Sequence, residues 1–303
     1  MDLRHLRYFV AVAEEGSLTR AAERLGIQQP PLGQQIRLLE QQLGVELFER
    51  RPRQVALSHT GRFFLEEARA VLKRAEDAAI KVKRFDRGES GLLNIGFTSS
   101  ASLHPITPQI LQRFHDAYPL ADVLVRESET YELVVALRDG GIDVALFHIA
   151  VEHFPELDSR VLADVQLVLA VSNAHPLART GGAVTLDTLL AQTFVVYRRR
   201  EGPGIFDHVN RIFAARGTSI RVGGEVTRLI AAINLVAAGR GVSLVPETMR
   251  GLHPESVTYL PLERGAIPPL PLSLAFRRDA DLALVRNFLN VTQASSSIDG
   301  IAT

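Results

Sequence analysis

The chain has 303 residues, with 34 basic and 34 acidic ones, so its formal net charge is zero and the composition does not favour general binding to polyanions. Hydrophobic residues make up 46% and charged residues 22%, which is typical of a globular protein with two or three domains. No apolar run reaches the roughly 18 residues of a membrane span, and the N-terminus lacks the pattern of a secretory signal, so we expect a cytoplasmic protein without a membrane partner. The absence of cysteine excludes disulfides, thiolate metal sites and a cysteine nucleophile.

Three short helices are predicted near the N-terminus. The segment RAAERLGIQQPPLGQQIRLLEQQLG has helical composition but contains two adjacent prolines. Proline is tolerated in the first turn of a helix, where its missing N–H would have no partner, so Pro30 or Pro31 starts the third helix. The residues that cap or end the first two helices are Asp2, Gly16, Ser17 and Gly26. The pattern therefore predicts a helix-turn-helix.

Apolar residues at helical spacing predict the core of this domain. The first helix is expected to turn Leu3, Leu6, Phe9, Val10 and Ala13 inward. The third helix is expected to turn Leu32, Ile36, Leu39 and Leu43 inward.

Polar residues on the remaining face of the third helix are candidates for DNA contact. They are Gln29, Gly33, Gln34 and Arg37. Isolated glutamines on a short helix are usually only solvated, but these lie in the N-terminal half of the second helix of a helix-turn-helix, which usually enters the major groove. Glutamine can form two hydrogen bonds with an adenine edge, so we expect direct base contacts here.

A basic hairpin follows the third helix. The segment RRPRQVALS has alternating apolar residues, with Pro52 in its turn, and no acid occurs among residues 50–65. Its arginines, Arg50, Arg51 and Arg53, would give the domain a local positive face. The hairpin therefore predicts a wing.

These residues resemble the LysR-type transcriptional regulators. The resemblance covers LRHLRYFVAVAEEGSLTRAAERLGIQQPPLGQQIRLLEQQLGVELFERRPRQVALSHTG from end to end and continues through the chain. It implies a winged helix-turn-helix over residues 1–58, in which the segment with Gln29, Pro30, Pro31, Gly33 and Gln34 begins the recognition helix. It also implies that the segment from Arg50 to Arg53 follows the DNA backbone and the minor groove.

Two positions depart from the family pattern, because many members carry Ser or Thr followed by Arg where this chain has Gly33 and Gln34. Glycine offers no side chain and costs about 1 kcal/mol of helix propensity, and glutamine lacks the positive charge. The operator contacts of other members are therefore not transferred to these two positions.

A long helix is predicted over residues 59–87, with Ser58 as its cap. Its apolar residues form two rows spaced by seven, namely Phe64, Val71, Ala78 and Phe85, and Ala68, Ala75 and Val82. Such a seam is typical of a two-stranded coiled coil. The alternative is an amphipathic helix that packs on its own domain. The family resemblance favours dimerisation through this linker helix, with paired heads on a roughly two-fold operator and assembly into a homotetramer.

Residues 91–303 alternate short apolar runs with helical segments, which predicts an α/β fold. The segments LRDGGIDVALF and VAAGRGVSLVP each end a helix at glycine and enter a buried strand, which suggests two similar lobes. The resemblance implies a two-lobed effector domain like a periplasmic binding protein. Lobe 1 would take about residues 91–160 and 267–303, and lobe 2 about residues 161–266.

A ligand of such a domain would lie between the lobes, at the carboxyl ends of the strands. The candidate residues are Thr98, Ser99, Ser100 and Thr130 in lobe 1, and Arg198 and Thr227 in lobe 2. Hydroxyls and free N–H groups at a helix start suit an anion such as a carboxylate, although simple helix capping is the alternative. A run of charges is usually solvated, so only the first arginine after its strand, Arg198, is expected to meet the ligand.

We therefore expect a sequence-specific DNA-binding regulator, an activator, whose activity is modulated by a small-molecule effector, a carboxylate. Its partners would be an operator duplex, a second copy of the chain and RNA polymerase, and no metal or cofactor is expected. The alternative is a cytoplasmic small-molecule-binding protein or an enzyme that uses the two-lobed domain. The nucleophile-elbow, phosphate-loop and zinc-protease motifs GxSxG, GxxxxGKS and HExxH do not occur, which argues against an enzyme.

Overall fold

The computed structural model describes residues 1–51, 54–148, 154–198, 204–280 and 282–293. Contacts between Cα atoms divide the chain into two compact units, Met1–Arg84 and Phe85–Thr303.

The first unit consists of helices and a β-hairpin. Its elements in chain order are α1 Leu3–Glu15, α2 Leu18–Leu25, α3 Gln29–Leu43, β1 Phe48–Arg51, β2 Gln54–Leu57 and the long helix α4 His59–Asp86. The strands β1 and β2 are antiparallel, with Phe48 opposite Leu57. The predicted winged helix-turn-helix followed by a long helix is therefore confirmed.

The predicted ends of the first two helices are also confirmed. Asp2 Oδ1 accepts the N–H of the residue three positions on at 3.0 Å, and Ser17 Oγ does the same at 3.4 Å. Gly16 and Gly26 end α1 and α2 in the left-handed conformation, with φ of 59° and 66°. Glycine adopts this conformation without strain, which is why these positions stop the helices.

The third helix begins at Gln29, one residue before the predicted start. Pro30 and Pro31 are therefore its second and third residues. Both prolines still lie in the first turn, where no backbone N–H has an acceptor within the helix.

The buried stripe of α1 differs from the predicted one. Leu6, Phe9 and Val12 are buried, whereas Leu3 is 40% exposed, so the prediction for Leu3 is wrong. The Phe9 ring lies 5.3 Å from the Phe48 ring, between centroids, and α1 therefore packs on the hairpin as well as on α2 and α3. The predicted residues Val10 and Ala13 are only partly buried, whereas the predicted core of α3 is confirmed at Leu32, Ile36 and Leu39.

The linker helix begins as part of the first core and then leaves it. Ser58 Oγ accepts the N–H of Gly61 at 2.8 Å, which confirms Ser58 as the cap. Phe64 packs on Phe9, with 5.0 Å between ring centroids, and Ala68 is buried. At Phe64 and Ala68 the linker helix therefore packs on its own domain, which was the alternative to a coiled coil. Of the later seam positions, Ala75 is partly buried and the others are exposed, including Val82 at 68%.

The second unit begins with a five-stranded sheet in the order β4-β3-β5-β12-β6. Its strands are β3 Ser90–Phe97, β4 Leu120–Glu127, β5 Val144–Phe147, β6 Leu157–Val165 and β12 Leu270–Arg277. Strand β3 is parallel to β4 and β5, and β12 is antiparallel to β5 and β6. The helices of this lobe are α5 Ser99–Ser102, α6 Ile106–Ala117, α7 Thr130–Arg138 and α11 Ala283–Gln293.

The second lobe lies between β6 and β12 in the chain. Its strands are β7 Leu167–Ser172, β8 Thr193–Tyr197, β9 Arg221–Val226, β10 Ser243–Pro246 and β11 Val257–Pro261. Strand β7 pairs with β10 and β11 in antiparallel fashion, and β8 pairs with β9 in parallel. The helices are α8 Leu186–Leu190, α9 Ile205–Ala215 and α10 Leu229–Ala237, with 3₁₀ turns at Pro176–Arg179 and Glu247–Met249.

The similar helix-to-strand corners are confirmed, because Gly140 and Gly239 follow α7 and α10 with φ of 72° and 71° before the fully buried strands β5 and β10. Strands β6 and β11 were not predicted, and the expected lobe crossing near residue 161 falls within β6. The helix expected to open at Thr227 begins at Leu229, with Arg228 as its N-cap.

The close approach of Gly61 to the loop before β1 predicts a stability effect. A Cβ atom at Gly61 would lie 1.9 Å from the Leu47 carbonyl oxygen, so Gly61→Ala must displace backbone. We expect Gly61→Ala to lower the free energy of unfolding by about 1–3 kcal/mol. Thermal unfolding of the full-length protein, followed by circular dichroism, measures this.

Gly33→Ala provides the matched control, because a Cβ at that helical position would meet no described atom within 4 Å beyond its chain neighbours and the backbone of its own helix. This change should stabilise α3 by up to about 1 kcal/mol through helix propensity. Equal melting temperatures for Gly61→Ala and the wild type would contradict the packing described.

Candidate functional site

A groove in the first unit collects most of the predicted DNA-contacting residues. Gln29, Pro30, Gly33, Gln34 and Arg37 all line it, and Phe48 and Val55 of the hairpin form the opposite wall. Of the predicted residues on α3, Pro31 is exposed but does not line this groove. We call this surface the α3 groove.

The polar side chains of the α3 groove are available to a partner molecule. Gln29, Gln34 and Arg37 are exposed, so their amide and guanidinium groups can reach outward from the helix. Glutamine and arginine are side chains that can form paired hydrogen bonds with adenine and guanine edges. The chemistry of the groove therefore suits base recognition.

Glu40, Glu46 and Glu49 also line the α3 groove, although acids there would repel phosphates. Glu40 has a structural role. Its Oε1 accepts the backbone N–H groups of Leu47 at 2.8 Å and Phe48 at 3.1 Å. The carboxylate thus ties the recognition helix to the first strand of the hairpin. This role was not predicted, and its signal in the sequence is an acid on a face of α3 that is otherwise uncharged or basic.

The hairpin arginines are described only in part. In β1 the backbone of Arg50 pairs with Val55 and that of Arg51 with Gln54. Arg53 and Pro52 lie outside the described residues. The predicted hairpin geometry is therefore confirmed for its strands, and the DNA contacts of the three arginines remain a prediction.

An ion network joins α1, α2 and α4. Glu14 Oε2 lies 2.8 Å from Arg24 Nη1, and Glu14 Oε1 lies 2.9 Å from Arg69 Nη2. Hydrogen bonds from Arg69 and then from Arg24 hold the pKa of Glu14 below its ordinary value. The network links the helix-turn-helix to the linker helix.

A second site lies between the lobes of the second unit, and we call it the interlobe pocket. Its lining residues follow the carboxyl ends of strands or begin helices: Thr98, Ser99, Ser100, Ser128, Glu129, His148, Tyr197, Ile205, Arg228 and Leu229. This is the edge at which open α/β sheets usually bind ligands. The structure therefore brings Thr98, Ser99 and Ser100 together, as expected, with residues of lobe 2.

The hydroxyl groups of lobe 1 have different environments. Thr98 Oγ1 and Thr130 Oγ1 are buried and have no hydrogen-bond partner among the described residues. Ser99 Oγ donates to Glu127 Oε1 at 2.5 Å. Thr130 is the first residue of α7 and does not line the pocket, so it can act on a ligand only if its surroundings move.

The two lobe-2 candidates lie outside the lining of the interlobe pocket. Arg198 Nη1 lies 3.4 Å from Glu225 Oε2, and its guanidinium carbon lies 4.4 Å from the Phe206 ring centroid. Thr227 is exposed. The next two arginines of the predicted run, Arg199 and Arg200, lie outside the described residues.

Arg228, which was not predicted, lines the interlobe pocket and gives it a positive charge. Its Nε lies 3.6 Å from Glu129 Oε1, across the two lobes. Each of these residues is the N-cap of a helix that starts soon after a parallel strand. The similarity of the sequences that end α7 and α10 was a signal for this pair, because it implied that the residues that start these two helices occupy equivalent places.

The interlobe pocket is narrow. Its volume is about 30 Å³, enough for only a few water molecules. Pockets for drug-sized ligands usually have several hundred Å³, so an organic acid requires the lobes or their side chains to move apart. In the described part of the chain, no group of three or more His, Asp or Glu residues could hold a metal ion. Nor does any described helix have the length and apolar character of a membrane span.

Known protein families match both the part of the chain that holds the α3 groove and the part that holds the interlobe pocket. Residues 3–62 match the family model "Bacterial regulatory helix-turn-helix protein, lysR family", and residues 86–296 match "LysR substrate binding domain". The chain is 37% identical to the HTH-type transcriptional regulator CatR of Pseudomonas putida, over 93% of this chain and 95% of that protein. It is 35% identical to a probable cat1 operon transcriptional activator of Acinetobacter lwoffii, over 84% of this chain and 83% of that protein.

The structural comparison gives the same result. Full-length CbnR, crystallised with its target DNA, matches with a TM-score of 0.82 and 28% identity, over 98% of this chain and 100% of that chain. The α3 groove, the hairpin and the two-lobed domain thus occur here in the order found in these regulators. The chain belongs to the LysR family of transcriptional regulators, DNA-binding proteins whose activity a small-molecule effector modulates.

Proposed function

We propose that the α3 groove and the arginine-bearing hairpin make the sequence-specific contacts with operator DNA. The observation that carries this is the convergence of Gln29, Gln34 and Arg37 on one exposed groove beside β1 and β2. Side chains of α3 would read base edges in the major groove, and the hairpin arginines would contact phosphates and the minor groove. Glu40 is not expected to oppose DNA binding, because two backbone N–H groups engage its carboxylate.

We further propose that a small carboxylate is the effector and that it binds in the interlobe pocket. Buried Thr98 Oγ1 offers a hydrogen bond that no described residue uses, and Arg228 offers a positive charge. We favour Arg228 over Arg198, because Arg228 lines the interlobe pocket, whereas Arg198 lies outside its lining and stacks on Phe206. Ser99 and Ser100 complete the proposed site, and Thr130 and Thr227 would join it only after a rearrangement.

The proposal includes a homodimer that pairs through the linker helix and associates further into a homotetramer. Val71, Ala78 and Val82 are exposed along one seam of α4, and a second helix would cover them. Effector binding would shift the population between two lobe arrangements and so change how paired heads meet the operator. The expected outcome is activation of transcription in the cytoplasm through contact with RNA polymerase, without enzymatic turnover or a cofactor. The named activator function of a relative with 35% identity supports activation.

Substitutions in the α3 groove test the DNA-binding proposal. We expect Gln29→Ala and Gln34→Ala each to lose about 1–3 kcal/mol of operator affinity and to relax sequence preference at one base pair. Arg53→Ala should weaken binding to all sequences and reduce the slope of log affinity against log salt by about one. Fluorescence anisotropy with a duplex selected from a random library, at several salt concentrations, measures both effects.

Gln42→Ala is the matched control, because Gln42 is an exposed glutamine of the same helix outside the α3 groove. It should leave affinity and specificity unchanged. Unchanged operator binding in Gln29→Ala, Gln34→Ala and Arg53→Ala together would mean that another surface reads the DNA.

Thermal shifts with a panel of small organic acids test the effector proposal. An acid at about 100 times its dissociation constant should stabilise the protein by about 2.7 kcal/mol. Thr98→Val and Arg228→Gln should each weaken this acid at least severalfold, because each removes a donor to the carboxylate. Arg198→Gln is the control in the same lobe and should bind the acid like the wild type. Loss of binding in Arg198→Gln with full binding in Arg228→Gln would reverse the assignment.

A further inference from the structure

One ion pair crosses the interlobe pocket. Glu129 of lobe 1 and Arg228 of lobe 2 both line the pocket, with 3.6 Å between Oε1 and Nε. The Glu129 side chain is 18% exposed and that of Arg228 is 58% exposed. The pocket therefore already contains a carboxylate that neutralises its arginine.

The groups around the Glu129 carboxylate favour a negative charge in the interlobe pocket. Glu129 and Arg228 are the N-caps of α7 and α10, helices of nine residues whose N-terminal N–H groups and dipoles attract negative charge. The independent sign of a ligand site is Thr98, whose Oγ1 is more than nine-tenths buried, lines the same pocket and has no partner among the described residues. A carboxylate bound here would find an arginine and a hydroxyl donor, but Glu129 already pairs with that arginine.

The backbone of Glu129 is held in place by Glu132. The Glu129 N–H donates to Glu132 Oε2 at 3.3 Å. A hydrogen bond from Ser128, then that backbone bond, and then the charges of Arg228 and Arg126 keep the pKa of Glu132 below its ordinary value. Glu132 therefore remains ionised and fixes the start of α7.

The Glu129–Arg228 contact is a loose one. Its 3.6 Å separation exceeds a normal hydrogen-bond length, and such partly exposed pairs are weak and screened by salt. A ligand carboxylate that forms two parallel hydrogen bonds with the same guanidinium would be the stronger partner. Another polar contact between the lobes, from Thr248 Oγ1 to the Ser100 carbonyl oxygen at 3.4 Å, does not involve this pair.

We propose that Glu129 is a specificity-determining residue that competes with the effector for Arg228. Its carboxylate pairs with Arg228 until an anionic effector takes its place. The competition raises the effector concentration needed for a response and selects ligands whose carboxylate can engage the guanidinium with both oxygens. This inference rests on the proposed carboxylate effector and adds the residue that sets its threshold.

Glu129→Gln in the full-length protein tests the competition, because it removes the charge and preserves the shape. Benzoate and succinate are the anionic probes, benzamide is the neutral probe, and thermal shifts over a concentration series give apparent dissociation constants. For an acid that binds the wild type, we expect Glu129→Gln to lower the dissociation constant about two- to fivefold. Benzamide should bind neither protein.

Glu156→Gln is the matched control, since Glu156 pairs with Arg138 Nε at 2.5 Å within lobe 1 and lies outside the interlobe pocket. It should leave the dissociation constants unchanged. A second readout needs no acid: hydrogen exchange in the first turns of α7 and α10 should become faster in Glu129→Gln and not in Glu156→Gln.

The outcomes separate the two proposals. Equal or weaker acid binding in Glu129→Gln overturns the competition, and weaker binding would show that Glu129 attracts the ligand instead. If neither acid binds any variant, both the proposed carboxylate effector and the proposed competition are wrong. This holds even if faster hydrogen exchange in Glu129→Gln shows that the ion pair links the lobes. Unchanged exchange in Glu129→Gln would show that the pair does not restrain the lobes and would contradict the proposal by itself.

Discussion

The contact between Phe9 and Phe64 joins the DNA-binding helices to the linker helix. Phe9 is fully buried, its ring lies 5.0 Å from that of Phe64, and Gly61 lets the first turn of α4 approach the loop before the hairpin. The Glu14 carboxylate reinforces this junction by binding Arg69 of α4 and Arg24 of α2. Packed interiors have few alternative arrangements, so the junction is expected to behave as one rigid body. In the proposed dimer, the angle between the two recognition helices therefore depends on this packing.

Carboxylates have structural roles at both sites of this chain, whose net charge is zero. Glu40 lies in the α3 groove but accepts two backbone N–H groups, so its charge stabilises the hairpin. Glu132 fixes the first turn of α7 in a similar way, through the N–H of Glu129. Charge counts along the sequence do not distinguish such engaged acids from free ones, because the engaging groups come from elsewhere in the chain. Composition therefore does not show which acids are held by hydrogen bonds within the fold.

The interlobe pocket combines two copies of one structural pattern. In each lobe a parallel strand ends, a short loop follows, and a helix begins at a charged N-cap, Glu129 in lobe 1 and Arg228 in lobe 2. These opposite charges lie 3.6 Å apart across the two lobes, and the same arrangement places positive helix ends around the pocket. In the proposed mechanism, ligand affinity and lobe closure would depend on the same few groups. This is the physical requirement for a ligand that changes the conformation of its receptor.

The sequence by itself determined the features that depend on near neighbours. The caps at Asp2, Ser17 and Ser58, the prolines in the first turn of α3 and the glycine corners after α7 and α10 were all predicted, because each depends on backbone conformation within a few residues. Strand β6 was missed because its residues alternate irregularly between buried and exposed positions, and only pairing with the distant β12 makes it a strand. The choice between Arg198 and Arg228 also required tertiary structure. Both follow a strand of lobe 2, and only the positions of Glu225, Phe206 and Glu129 in space decide which guanidinium faces the pocket.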